Sequence, residues 1–131
     1  MLGKYPFMKK LVDTCGWIEW LTEGKLASLF APYLSDPREL IVPTLIQHEL
    51  YKWICREKDS TLALEIIGIT ECGTVVPLDT SIALSAADIA SEYNLAMADA
   101  IIYATSKKHD VTLITADKYF KGLPQVKFFA K

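Results

Sequence analysis

Four carboxylates in the sequence stand in apolar surroundings. Asp13 closes the apolar pair Leu11 and Val12, and Glu49 has Leu45, Ile46 and Trp53 one helical turn away. Asp99 sits in the opening turn of MADAIIYATSKK, and Asp117 comes just after TLIT. A buried carboxylate costs several kcal/mol unless it is paired or bound to a metal ion. Each acid has an ordinary explanation taken alone: a salt bridge for Glu49, helix-dipole stabilisation for Asp99, a turn for Asp117. Taken together, they fall at strand ends and helix faces that a parallel sheet can bring to one place. Carboxylates crowded into one pocket repel each other, so such a pocket calls for divalent cations. Hard oxygen donors suit Mg2+ or Mn2+ rather than zinc. The chemistry such a site performs is metal-assisted phosphoryl chemistry.

The elements that must hold these acids are marked by turn residues and periodicity. Residues 9–13 read as a first strand, and 16–34 as one or two helices broken near 22–24 and ended by Ser35, Asp36 and Pro37. A second strand is expected over 39–42. A helix can start at Pro43, with proline in its tolerated first turn, and Ile46, Leu50, Trp53 and Ile54 give it one apolar stripe to about Lys58. Another helix follows Asp59 and Ser60 and stops before Gly73, and Val75 and Val76 make a short strand. Asp79, Thr80 or Ser81 caps the next helix, whose face carries Ile82, Ala86, Ile89 and Tyr93, so Asp79 is read as structural. Helix over 97–109, strand over 112–115, a turn over 118–121 and a last strand over 126–129 complete the chain. Strands alternating with helices predict an α/β fold with a parallel sheet. In such sheets ligands gather beyond the carboxyl ends of strands, where Asp13 lies. Thr115 and Asp117, two residues apart, can reach the same side of the sheet edge.

With 131 residues the chain is read as a single domain, and its 51% hydrophobic and 23% charged content excludes disorder as the main state. No apolar run approaches the ~20 residues of a membrane helix. The N-terminus carries no secretory signal, so a cytoplasmic location is expected. Residues 1–7 read as a loosely attached extension. Cys15, Cys55 and Cys72 form no CxxC pair, which argues against a disulfide framework and a structural zinc site. Cys55 and Cys72 are read as small apolar fillers. Neither His48 nor His109 is expected to be catalytic.

Four segments, VDTCGWIEW at 12–20, HELYKW at 48–53, LAMADAIIYATSKK at 95–108 and TLITADKYFKGL at 112–123, occur in the order found in PIN-domain ribonucleases. From Met8 onward the chain resembles that family, specifically the VapC-type toxins of toxin–antitoxin pairs. The resemblance implies a PIN-like three-layer α/β/α sandwich with a central, mostly parallel sheet. It further implies a Mg2+- or Mn2+-dependent endoribonuclease that inhibits translation, with Asp13, Glu49, Asp99 and Asp117 as the acidic set. In that scheme Asp13, Asp99 and Asp117 hold metal directly or through water, Glu49 is a ligand or orients the attacking water, and Thr14 and Thr115 match frequent hydroxyl positions. A VapB-like antitoxin and a homodimer are the partners it implies. Cys15 departs from the pattern, since many members carry Ser or Asn there.

Residues 1–100 hold 8 basic and 14 acidic side chains, whereas 101–131 hold 6 lysines and 2 aspartates. Nucleic-acid binding runs on cations, so Lys107, Lys108, Lys118, Lys121 and Lys127 are candidate RNA contacts. Core packing is the default reading of Trp17, Trp20, Leu21, Leu26, Leu29, Phe30 and Leu34, and the family analogy assigns whatever exceeds one small core to an antitoxin groove. Two competing readings remain. A catalytically silent RNA- or protein-binding module would share the fold, although all four acids are present. An Asp-phosphotransfer domain also clusters acids at strand ends, but Asp13 lacks the DxD pattern because position 15 is Cys.

Overall fold

The computed structural model describes residues 9–131, and the expectation for residues 1–7 lies outside that range. Three successive units each contribute one strand and two helices. β1 (Lys10–Val12) leads to α1 (Thr14–Leu21) and α2 (Ala27–Leu34). β2 (Ile41–Pro43) leads to α3 (Thr44–Glu57) and α4 (Ser60–Thr70), and β3 (Thr74–Val76) to α5 (Thr80–Tyr93) and α6 (Met97–Lys108). β4 (Thr112–Thr115) and β5 (Val126–Phe128) end the chain, separated by a short 3-10 turn at Lys118–Phe120.

Among the described residues every strand pairing is parallel: β1 with β4, β4 with β5, β2 with β3. A parallel bridge between Lys10 and Leu40 joins the two groups into the order β3-β2-β1-β4-β5. Helices pack around this sheet, giving the α/β/α layering expected. The connections out of β1 and β4 depart to opposite sides, so the strand order reverses between these two strands. Ligands of open α/β sheets bind in the crevice that opens there, outside the carboxyl ends.

Local chemistry accounts for the helix boundaries. The side chains of Asp59 and Asp79 each accept the backbone N–H three residues on, at 2.8 Å, and so cap α4 and α5. The structural reading of Asp79 holds. Asn94 ends α5 in the left-handed conformation, with φ of 55°, which Asn tolerates better than most residues. Pro43 does not lie inside the first turn of α3: it is the last residue of β2, paired with Val76, and stands immediately before the helix. α1 can lie close to α2 because position 16 is glycine, where a Cβ would come within 2.6 Å of the Phe30 ring and 2.7 Å of Val12.

The core runs continuously from β1, β2 and β4 through Trp17, Phe30, Ile46, Leu50, Ile102 and Phe120. It absorbs most of the first helical region, in keeping with the default reading of those side chains as core. Trp17, Leu26, Phe30 and Leu34 are buried, Trp20 and Leu21 pack against the core, and Leu29 alone of the seven is exposed. Among the described residues the two most exposed large hydrophobic side chains are Leu84 on α5 and Met97 on α6, at 66% and 78%. Beside them a groove of about 360 Å³ is lined by Leu78, Ala83, Ala87, Ala90, Met97 and Ile101. Cys55 packs against the core, but Cys72 is exposed, because it follows α4 in the turn before β3 rather than on a buried face. No helix among the described residues is long and apolar enough to cross a membrane.

Candidate active site

β1 ends by turning directly into α1, and Asp13 occupies the joint. Its backbone is extended, and its N–H still donates to the Ile114 carbonyl of β4 at 2.9 Å. The side chain is therefore held at the carboxyl end of the sheet, 5% exposed. One carboxylate oxygen accepts the Thr14 N–H at 2.8 Å, capping α1, and the other accepts the Thr115 hydroxyl at 2.8 Å. Thr115, the last residue of β4, also accepts the Asp117 N–H at 2.9 Å, which sets the course of the chain into the 3-10 turn. Asp117 caps that turn through the Tyr119 N–H at 3.0 Å.

α3 carries Glu49 to the same place, where its carboxylate accepts the Thr14 hydroxyl. No ion pair neutralises Glu49 among the described residues. Asp99, in the first turn of α6, is half-buried. All four acids line one open cleft of about 340 Å³, with Thr14, Cys15 and Ile18 on the α1 side. The cleft lies at the β1/β4 reversal. A larger hollow, about 490 Å³, sits at the opposite, amino ends of the strands beside Lys9 and Lys10, where Asp110 is the one acid in its lining.

Burial is the main reason that the Asp13 carboxyl is pushed up to about 6. The hydrogen bonds from Thr115 and Thr14 oppose the rise, while the charges of Asp99 and Glu49 add to it. Asp99 is also pushed up to about 6, by burial first and then by Asp117 and Glu49. The acids thus repel each other in a poorly solvated place, the electrostatic condition that a bound cation relieves.

The donor set fits a hard divalent cation. Its ionisable donors are carboxylates, and the Cys15 thiol is pushed up to about 11, chiefly by burial and then by Asp13, so it stays protonated. The sulfur instead accepts the Ala116 N–H at 3.4 Å and lies 3.6 Å from the Thr115 hydroxyl. Among the described residues, no three acidic, His or Cys side chains stand close enough together to hold a metal ion as they are placed.

The lysines distribute differently. Lys107 and Lys108 lie about 12–14 Å along α6 from Asp99, at the far end of the helix. There Lys108 pairs with Asp79 at 3.1 Å, and Lys107 lies over the Tyr103 ring. Lys118, Lys121 and Lys127 lie over Tyr119, Phe128 and Phe129. None of the five lines the acidic cleft. The cations that do are Lys52 and Arg56, which the sequence reading passed over. Their signal is the spacing within HELYKWICR, which puts Glu49, Lys52, Trp53 and Arg56 at i, i+3, i+4 and i+7 on one helix face.

The family model for the PIN domain matches residues 10–125. The chain belongs to the PIN domain family. Members of that family are typically nucleases. No curated protein matches the chain in sequence. Among solved structures, its fold is similar to a toxin–antitoxin complex from Klebsiella pneumoniae, with a TM-score of 0.80 and 22% identity over 94% of this chain and 100% of that one. A DNA-bound VapBC from Salmonella typhimurium gives 0.72 and 14%, covering 94% and 98% of the two chains. FitAcB from Neisseria gonorrhoeae gives 0.68 and 24%, covering 91% and 95%. At these identities the likeness is one of fold, and it extends across nearly the whole PIN domain.

Proposed function

We propose that this PIN domain is a metal-dependent endoribonuclease that hydrolyses RNA phosphodiester bonds with Mg2+ or Mn2+. The observation that carries the reading is the convergence of Asp13, Glu49, Asp99 and Asp117, from four separate parts of the chain, on one cleft at the sheet's reversal point. Asp13, Asp99 and Asp117 would hold the cation, directly or through water. When bound, it supplies charge neutralisation at the phosphate and a more acidic water. Thr115 and the Thr14 N–H fix the Asp13 carboxylate before any ligand arrives, so little reorganisation is left for the reaction. Glu49, steadied by the Thr14 hydroxyl, would be a further ligand or would orient the attacking water.

The same reading makes the chain the toxin of a VapBC-type pair, acting on RNA in the cytoplasm to inhibit translation, with a VapB-like antitoxin and a second copy of itself as partners. Its fold likeness to chains of toxin–antitoxin complexes supports this. So does the apolar groove on α5 and α6, which offers surface for a partner. The test is cleavage of a mixed RNA pool by purified, antitoxin-free protein with Mg2+, with Mn2+ and with chelator, beside Asp99→Asn. Cleavage that requires metal and is lost in the variant supports the assignment. A folded wild type that cuts nothing would return the chain to the silent binding module.

A further inference from the structure

The acidic cleft is poorly suited to its own substrate. A phosphodiester strand approaching Asp13, Glu49, Asp99 and Asp117 meets four carboxylates, and the chain carries a net charge of −2. A divalent cation offsets the repulsion at the bond to be cut. The phosphates on either side need another source of positive charge, because single-stranded nucleic acid is bound through cations that track its backbone.

α3 provides that charge within the cleft. From Glu49, Lys52 lies about one turn further along the helix and Arg56 about two turns, on the same face. Both are exposed. Among the described residues, Arg56 forms an ion pair only with its neighbour Glu57, at 2.9 Å, and both side chains are exposed. Such a pair is worth little and is readily given up for a phosphate. Trp53 lines the cleft between them, and an aromatic surface flanked by cations is the combination that single strands use.

We infer that Lys52 and Arg56 form the strand-binding track of this site: they hold successive phosphates of a single-stranded RNA leading away from the bond cut beside Glu49. The inference rests on the nuclease reading and adds to it the path of the substrate. It places that path along α3 rather than along the lysine-rich C-terminal third.

The track is tested by binding of a fluorescein-labelled single-stranded RNA pool at several salt concentrations, in the Asp99→Asn background so that nothing is cut. Lys52→Gln with Arg56→Gln is compared with Lys9→Gln with Arg38→Gln, a charge-matched pair at the amino ends of the strands, away from the cleft. Each lost phosphate contact should flatten the plot of log affinity against log salt by about 0.7. The α3 pair should therefore lose about 1.4 in slope and bind at least tenfold more weakly in moderate salt, with the control pair unchanged. Metal-dependent cleavage is measured in parallel with Asp99 intact. If that protein cuts RNA while the α3 pair binds with an unaltered slope, the track is overturned and the nuclease reading stands. Failure of the protein with Asp99 intact to cut, together with failure of the Asp99→Asn protein to bind, removes both.

Discussion

The Thr115 hydroxyl donates to Asp13 at 2.8 Å across 102 positions of sequence, tying the ends of β4 and β1 together at the floor of the cleft. Because Asp13 is nearly inaccessible, this bond supplies much of what water would otherwise give its carboxylate. Thr115→Val keeps the shape of the side chain and deletes the donor. It also removes the acceptor for the Asp117 N–H, so two of the four acids lose a constraint at once. Activity at fixed Mn2+ should fall roughly 10–100-fold, the range seen when partners of metal ligands are removed. Raising Mn2+ should recover part of it. An unchanged Mn2+ activation curve would show that the hydroxyl does not support the site.

Asp13 also sets a stability cost that depends on pH. Its carboxyl is raised from 3.8 to about 6 in the folded protein, chiefly by burial. Folding therefore favours the protonated form: that contribution is fully present below about pH 4 and is lost as pH rises through 6. Metal-free protein should be less stable at pH 7.5 than Asp13→Asn, by up to about 3 kcal/mol, with the gap closing towards pH 4. Urea unfolding in chelator at several pH values measures it. Adding Mn2+ should stabilise the wild type and leave the variant largely unmoved.

Activity should carry the same titration with the opposite sense. Asp13 and Asp99 are both raised to about 6 and must be ionised to hold a cation. Cleavage at subsaturating Mn2+ should climb steeply between pH 5 and 7, and saturating metal should move the rise to lower pH, since the cation competes with protons for the same oxygens. A pH profile that ignores the metal concentration would separate these acids from metal binding.

What could be read from the sequence followed from side chains whose role is local. Asp59 and Asp79 cap helices through bonds to residues three positions on, and a short spacing is visible in a string of letters. The four acids were legible for a related reason: each is an anion placed against apolar neighbours, and the cost of burying it demands an explanation wherever the fold puts it. Lys52 and Arg56 gave no such signal, because an exposed cation on a helix needs no partner, and only the sheet's reversal beside α3 puts them in the cleft. For the lysines of the C-terminal third the sequence supplied only a count. Charge counted along the chain takes no account of α6 carrying Lys107 and Lys108 away from Asp99. The apolar side chains of α1 and α2 are mostly core, as their default reading has it, but nothing local ranks them above the apolar residues of α5 and α6. Only packing decides that Trp17 and Phe30 are core while Leu84 and Met97, on α5 and α6, face outward.

Gly16 offers a way to move Asp13 without touching it. A methyl group at this position would press on the Phe30 ring at 2.6 Å and on Val12 at 2.7 Å, immediately behind the β1/α1 joint. Neither neighbour can retreat easily, since Phe30 is fully buried and packs edge-on against Phe129 at 5.2 Å. Gly16→Ala should therefore cost about 1–3 kcal/mol, as overpacking of a close-packed core does. Gly68 is the counter-case: it lies on the exposed side of α4, and an added Cβ meets nothing within 4 Å. Gly68→Ala should gain about 0.5–1 kcal/mol, the helix preference of alanine over glycine. Because α1 must shift to admit the methyl, Gly16→Ala should also lose activity under conditions where it remains folded. Gly68→Ala should keep full activity and melt higher. Chemical unfolding and RNA cleavage on the same preparations decide the matter, and a Gly16→Ala protein as stable and active as the wild type would mean that the α1/α2 contact leaves room the structure does not contain.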